Sequence, residues 1–131
     1  MTSARERQAV RSRRGARGRT DGRFAEAIAA VWLMLKGYQI LGFRLRTPAG
    51  EIDLLARKGR TLAVVEVKRR ANVELAMDAI LPAQRDRLMR AARALAGRRA
   101  ALRHLDLRID LIALAPGRLP RHVPNIFNDL D

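Results

Sequence analysis

A chain of 131 residues with 48% hydrophobic content is long enough for one domain with a core, too short for two ordinary ones and too apolar for wholesale disorder. It has no cysteine, its only serines are Ser3 and Ser12, and His104 and His122 have no second histidine nearby; this excludes disulfides, thiolate or buried-serine nucleophiles and Cys-ligated zinc, and leaves carboxylate, lysine and arginine chemistry. The formal net charge is +14, from 27 Lys and Arg against 13 Asp and Glu, and 24 of those cations are arginine, whose fork suits bidentate contacts to phosphate.

Residues 1–19, ending in RSRRGARGR, are poor in apolar residues and are expected to form a disordered cationic leader, with residues 20–131 as a single domain. The leader lacks the apolar stretch of a secretory signal, and no run approaches the roughly 18 to 20 apolar residues of a membrane span, so a cytoplasmic location without a membrane partner is expected. Residues 1–23 carry eight arginines and two acids, a net +6, yet residues 24–131 still carry a net +8. A nucleic acid is therefore the expected partner; the alternatives are an acidic protein or ribosome-like surface, or charge of no specific meaning.

Thr20 can cap a helix that runs to about Lys36 and stops at Gly37, with Phe24, Ile28, Val31, Trp32 and Leu35 as its apolar stripe. Glu26 lies one turn from Ala29 and Ala30 and two from Leu33, so it is expected to look inward toward a group that wants a carboxylate. Tyr38 to Arg46 alternates as a strand, TPAG at 47–50 is a turn, and EIDLLA (51–56) and TLAVVEVK (61–68), joined by RKGR, predict a β-hairpin. Residues 72–81 are ambiguous between loop and short helix. Pro82 suits the first turn of a helix that runs to about Ala96, with Leu88, Ala91, Ala92 and Leu95 inward and Arg85, Arg87, Arg90 and Arg93 around them. LDLRIDLIAL (105–114) predicts a strand with one buried face, and the chain from Pro116 onward is expected to be irregular. This order is that of a compact α/β domain with a right-handed crossover between strands 61–68 and 105–114. Trp32, Tyr38 and Phe43 are expected to pack. His104 and His122 are placed at surface junctions without acid–base partners, and Asp106, Arg108 and Asp110 form local ion pairs.

The hairpin holds the acids. A two-residue turn at Lys58-Gly59, or a four-residue loop over 57–60, sets Glu51 across from Glu66 and Asp53 across from Val64. Period-two alternation then puts Glu51, Asp53, Glu66 and Lys68 on one face. Like charges so close between apolar strands cost stability, and a divalent cation resolves the conflict because carboxylate oxygens suit Mg2+ or Mn2+. The expected chemistry is metal-assisted phosphodiester hydrolysis. Asp53 and Glu66 bind the ion, and Lys68 positions or polarises the attacking water. Glu26 completes the ligand set or orients a metal-bound water, and Glu51 is a further candidate ligand or an arginine's partner. The competing explanation is a structural salt-bridge cluster in which Lys68 and nearby arginines neutralise the acids.

GRFAEAIAAVWLMLKGYQILGFRLRT at 22–47, GEIDLLARKGRTLAVVEVKRR at 50–70, RIDLIAL at 108–114 and NIF at 125–127 resemble, over roughly residues 20–128, the YraN family of small bacterial proteins. That family belongs to the restriction-endonuclease-like superfamily, with the archaeal Holliday-junction resolvases. The resemblance implies an α/β, three-layer restriction-endonuclease-like fold, with a central mixed sheet that contains a hairpin and is flanked by helices. It also implies an acid–acid–ExK site in which the metal-binding aspartate matches Asp53, the glutamate Glu66, the lysine Lys68 and the helix glutamate Glu26; Glu51 lies in the family's GEIDL block. Ala25 and Gln84 stand where the family usually has glycine and lysine. The activity so implied is a metal-dependent nuclease acting on DNA, branched or single-stranded, with Mg2+ or Mn2+ as cofactor. Arg44, Arg46, Arg69, Arg70, Arg85 and Arg87 are the expected nucleic-acid contacts, and a junction substrate would call for a two-fold homodimer. The alternatives are a non-catalytic nucleic-acid-binding module of the same fold and a basic protein-interaction adaptor.

Overall fold

A computed structural model of the chain describes residues 22–80 and 82–127. The leader expected over 1–19 and the cap expected at Thr20 lie outside the described residues. Helix α1 covers residues 22–35 and ends as the glycine predicts: Gly37, at φ +92, donates its N–H to Met34 and Tyr38 donates to Leu33, the two bonds that satisfy terminal carbonyls when a left-handed residue closes a helix. The strands are β1 (Gln39–Thr47), β2 (Gly50–Lys58), β3 (Thr61–Arg69), β4 (Asp106–Leu114) and β5 (Arg121–Val123). Helices α2 (Val73–Asp78) and α3 (Pro82–Arg98) lie between β3 and β4.

The five strands form one open mixed sheet in the order β1-β2-β3-β4-β5, and only β3 and β4 pair in parallel. A parallel pair needs a long crossover, and α2 and α3 supply it. Leu88, Ala91, Ala92 and Leu95 of α3 pack with Ile52, Leu55, Leu62, Val64 and Ile109 on one face of the sheet. On the other, Ala29, Ala30 and Leu33 of α1 pack with Leu54, Ala56, Ala63, Val65 and Ile112. Helix, sheet and helix thus make the three layers. Among the described residues no helix is long and apolar enough to cross a membrane.

Several expectations are corrected. The buried face of α1 is Ala25, Glu26, Ala29, Ala30 and Leu33, whereas Phe24, Val31 and Leu35 are exposed and Ile28 borders on it. Alanines let the helix axis sit close to the sheet, so small size rather than bulk selects the inner face. Trp32 is half-buried and Phe43 is exposed. The hairpin turn is Gly59-Arg60, not Lys58-Gly59: Lys58 pairs with Thr61 and Leu54 with Val65. Gly59, at φ +58, takes the first central position, where this backbone costs glycine least. The shift moves the pairing by two, so the acids keep their parity and Asp53 rather than Glu51 falls level with Glu66. Helix α3 passes through Gly97 to Arg98, since Gly97 is not left-handed. The segment expected to be irregular contains β5, too short for alternation to reveal, reached through a turn with Gly117 at φ +70.

Candidate metal and phosphate site

At the carboxyl ends of β3 and β4, β2 parts from β3. The ladder stops at Leu54–Val65, and in its place the Asp53 side chain accepts the Val67 N–H at 3.1 Å. The cause is a break in the pleat. Ile52 belongs to the α3-side core and Leu54 to the α1-side core, although residues two apart on a regular strand share a face. The partner strand is irregular as well, with a bulge between Ile40 and Gly42 and Arg44 at φ +49, opposite Asp53 in the register. A non-glycine residue in that region costs about 1–3 kcal/mol, and here it delivers the Arg44 guanidinium to Glu26, with Nε 3.1 and 2.9 Å from the two carboxylate oxygens.

The result is a cleft of about 500 Å³ lined by Glu26, Glu51, Asp53, Glu66, Lys68 and Arg87, among others. All four predicted acids and the predicted lysine line it. They meet through the break at Asp53 as much as through period-two alternation. Lys68 Nζ lies 3.8 Å from Glu66 Oε2, and Arg87 Nη2 lies 3.8 Å from Glu66 Oε1. Glu66 is 4% exposed. Burial first, then the Asp53 carboxylate, push its carboxyl up to about 7, against the pull of Lys68 and Arg87. Arg87 reaches in over Gly50 and donates to the Glu51 carbonyl at 3.2 Å; a Cβ on Gly50, whose φ is +125, would lie 2.6 Å from its Nη1.

The donor set is two crowded carboxylates with hard oxygen atoms, and burial beside Asp53 holds the proton on Glu66 to near neutrality even with Lys68 and Arg87 alongside. That chemistry fits a magnesium- or manganese-sized cation bound by one or two carboxylates plus phosphate oxygens. It is not a cage. Among the described residues no three His, Asp or Glu side chains are grouped to hold a metal, and Glu26 is turned to Arg44.

Of the arginines expected at nucleic acid, Arg44 is engaged by Glu26, and its guanidinium is held more firmly protonated by that hydrogen bond and by the other acids of the cleft. Arg87 is engaged by Glu51 and Glu66. Arg46, Arg69 and Arg70 are exposed, and Arg85 is half-buried.

The ion pair expected between Arg108 and Asp110 is present, but its burial and its link to His122 were not foreseen. Asp110 of β4 is fully buried on the α1 side and accepts two hydrogen bonds from Arg108 at 2.8 Å, one from His122 Nε2 at 2.7 Å and one from the Asn125 N–H at 3.0 Å. Burial opposes its ionisation, but His122, Arg108 and the Asn125 N–H together bring its pKa below the ordinary carboxylate value. His122 is therefore no surface residue: its side chain is 2% exposed, between Asp110 and Lys36 Nζ. Arg108 also donates to Tyr38 Oη at 2.6 Å. The sequence signal was available in one acid set inside the apolar run IDLIAL.

Residues 25–114 match the family model described as the uncharacterised protein family UPF0102. The chain is 64% identical over 116 residues to a UPF0102 protein of Caulobacter vibrioides (strain NA1000 / CB15N), covering 88% of this chain and 93% of the relative. It is 58% identical over 128 residues to one from Caulobacter sp. (strain K31), covering 95% and 92%, and 51% identical over 113 residues to one from Maricaulis maris (strain MCS10), covering 86% and 87%.

Proposed function

The chain belongs to the UPF0102 family, and on that footing we propose that its acidic cleft is the site of a metal-dependent nuclease that hydrolyses phosphodiester bonds in DNA, in the cytoplasm. The observation that carries this is the Asp53–Glu66 pair, two carboxylates side by side at the open end of a parallel strand pair, with Lys68 and Arg87 beside them in a strongly basic chain. When bound there, Mg2+ or Mn2+ supplies Lewis acidity and a lowered pKa for its water. Asp53 offers the carboxylate oxygen not taken by Val67, and Glu66 offers both of its own once its proton leaves. Lys68 orients the attacking water and offsets charge on the phosphate, while Arg87 holds Glu66 and Glu51 in place. Water adds to phosphorus, and the leaving oxygen departs with a proton.

Cleavage of labelled duplex, flap, nicked, junction and single-stranded DNA tests this. Activity should appear with Mn2+ or Mg2+, vanish in chelator, and fall by roughly 100-fold or more in Asp53→Asn and Glu66→Gln proteins that keep their fold. Undiminished cleavage by the folded double variant would remove this site from the chemistry.

The Glu26–Arg44 pair favours a second reading, a nucleic-acid-binding module of the same fold without turnover, since it withdraws the helix glutamate from the ligand set. Salt-dependent binding of all these DNAs with no cleavage under any metal would select it.

A further inference from the structure

Beside the acidic cleft lies a second one, of about 580 Å³, and the two share Ala25 and Arg69. Its walls are of a different kind. Phe24 and Ile28 of α1 face Leu114 at the end of β4 and Pro116 and Pro120 from the connection to β5, and Arg69, Arg70 and Arg118 line it as well. Phe24 is 69% exposed, an aromatic face left open although its helix has a core to pack against. Arg70 extends the β3–β4 pairing by donating its N–H to the Leu114 carbonyl, so the arginines and the apolar wall stand on a rigid sheet end. This is the crevice outside the carboxyl ends of parallel strands where α/β sheets hold ligands.

Apolar walls with an open aromatic ring and three cations match one chemistry closely: a flat, uncharged ring system attached to phosphates. We propose that this cleft receives an unpaired nucleotide of the nucleic-acid strand, its base against Phe24 and Ile28 and its phosphates at Arg69, Arg70 and Arg118. A base in a duplex has both faces covered by its neighbours and cannot enter. The inference rests on the phosphodiester reading of the acidic cleft for the identity of the chain bound, and it narrows the substrate to strands with an unpaired base next to the cleavage point. A second copy of the protein fits the cleft less well, because a two-fold contact there would bring six arginines together.

Binding decides the matter apart from cleavage. The full chain is titrated in chelator with a fluorescent duplex bearing a single-stranded extension and with a blunt duplex of equal length. Phe24→Ala should weaken the extended DNA by about tenfold, leave the blunt duplex unchanged, and be rescued by Phe24→Trp. A 2-aminopurine at the first unpaired position should change its fluorescence on binding the wild-type chain and not the alanine variant. Arg118→Ala should weaken binding of the extended DNA and lower its salt dependence. Equal affinity of Phe24→Ala and wild type for the extended DNA overturns the proposal, as does sedimentation showing that Phe24→Ala turns a dimer into a monomer. Phe24-dependent binding without metal-dependent cleavage would support this cleft while sinking the hydrolytic reading; cleavage unaffected by Phe24→Ala, with unchanged binding, would do the reverse.

Discussion

Glu66 carries two opposed demands. Its position in the apolar strand β3 buries it beside Asp53, so the metal-free fold prefers it protonated, with a pKa raised to about 7. An acid whose pKa is raised on folding contributes stability that is whole below its unfolded value and is lost as pH rises through its folded one. Metal-free protein should therefore lose up to about 3 kcal/mol between pH 4.5 and 7.5, as read by urea unfolding in chelator. Glu66→Gln should flatten that slope, and Mn2+ should restore stability to the wild type above pH 7. A slope unchanged in Glu66→Gln would mean that the carboxyl is not held as described.

Two glycines make the same kind of test at the scale of elements. Gly50 begins β2 at φ +125 with Arg87 against it, so Gly50→Ala should cost about 1–3 kcal/mol and displace the guanidinium from Glu51. Gly97 is inside α3, is not left-handed, and a Cβ added to it would meet nothing within 4 Å, so Gly97→Ala should stabilise by up to about 1 kcal/mol. Thermal or urea unfolding of the two variants reads both signs. The hairpin was legible for a related reason: turn residues and β-branched runs act locally, and Gly59 had only to choose its place within the turn. The outward seam of α1 was not legible, because Phe24, Val31 and Leu35 have the spacing of a buried stripe and only the closeness of helix to sheet prefers Ala25, Ala29 and Ala30.

Across the whole molecule, the Asp110 group ties three elements that are distant in sequence. It joins β4 to His122 of β5, to the Asn125 N–H and, through Arg108 and His122, to Tyr38 and Lys36 after α1. Asp110→Ala would leave a buried imidazole and a half-buried guanidinium without their acceptor, and should cost about 3 kcal/mol or more of unfolding free energy. A loss below about 1 kcal/mol would show that water replaces the carboxylate. Because folding lowers the Asp110 pKa, its contribution is present above the ordinary carboxylate value and fades as pH falls through the folded one. The metal-free protein is thus weakened from both sides, by Asp110 in acid and by Glu66 toward neutrality.

By itself the sequence determined the α/β class, the hairpin, the inward glutamate of the first helix and the set Glu51, Asp53, Glu66 and Lys68, because periodicity, turn chemistry and charge placed in apolar strands are local properties. Tertiary structure decided the partners. Whether Glu26 meets a metal or Arg44, whether His122 is wet or shut in against Asp110, and which face of α1 is left outside all depend on which distant backbones approach closely enough to bury a charge. That cost is set by the neighbours a side chain acquires on folding, and no spacing along the chain records them.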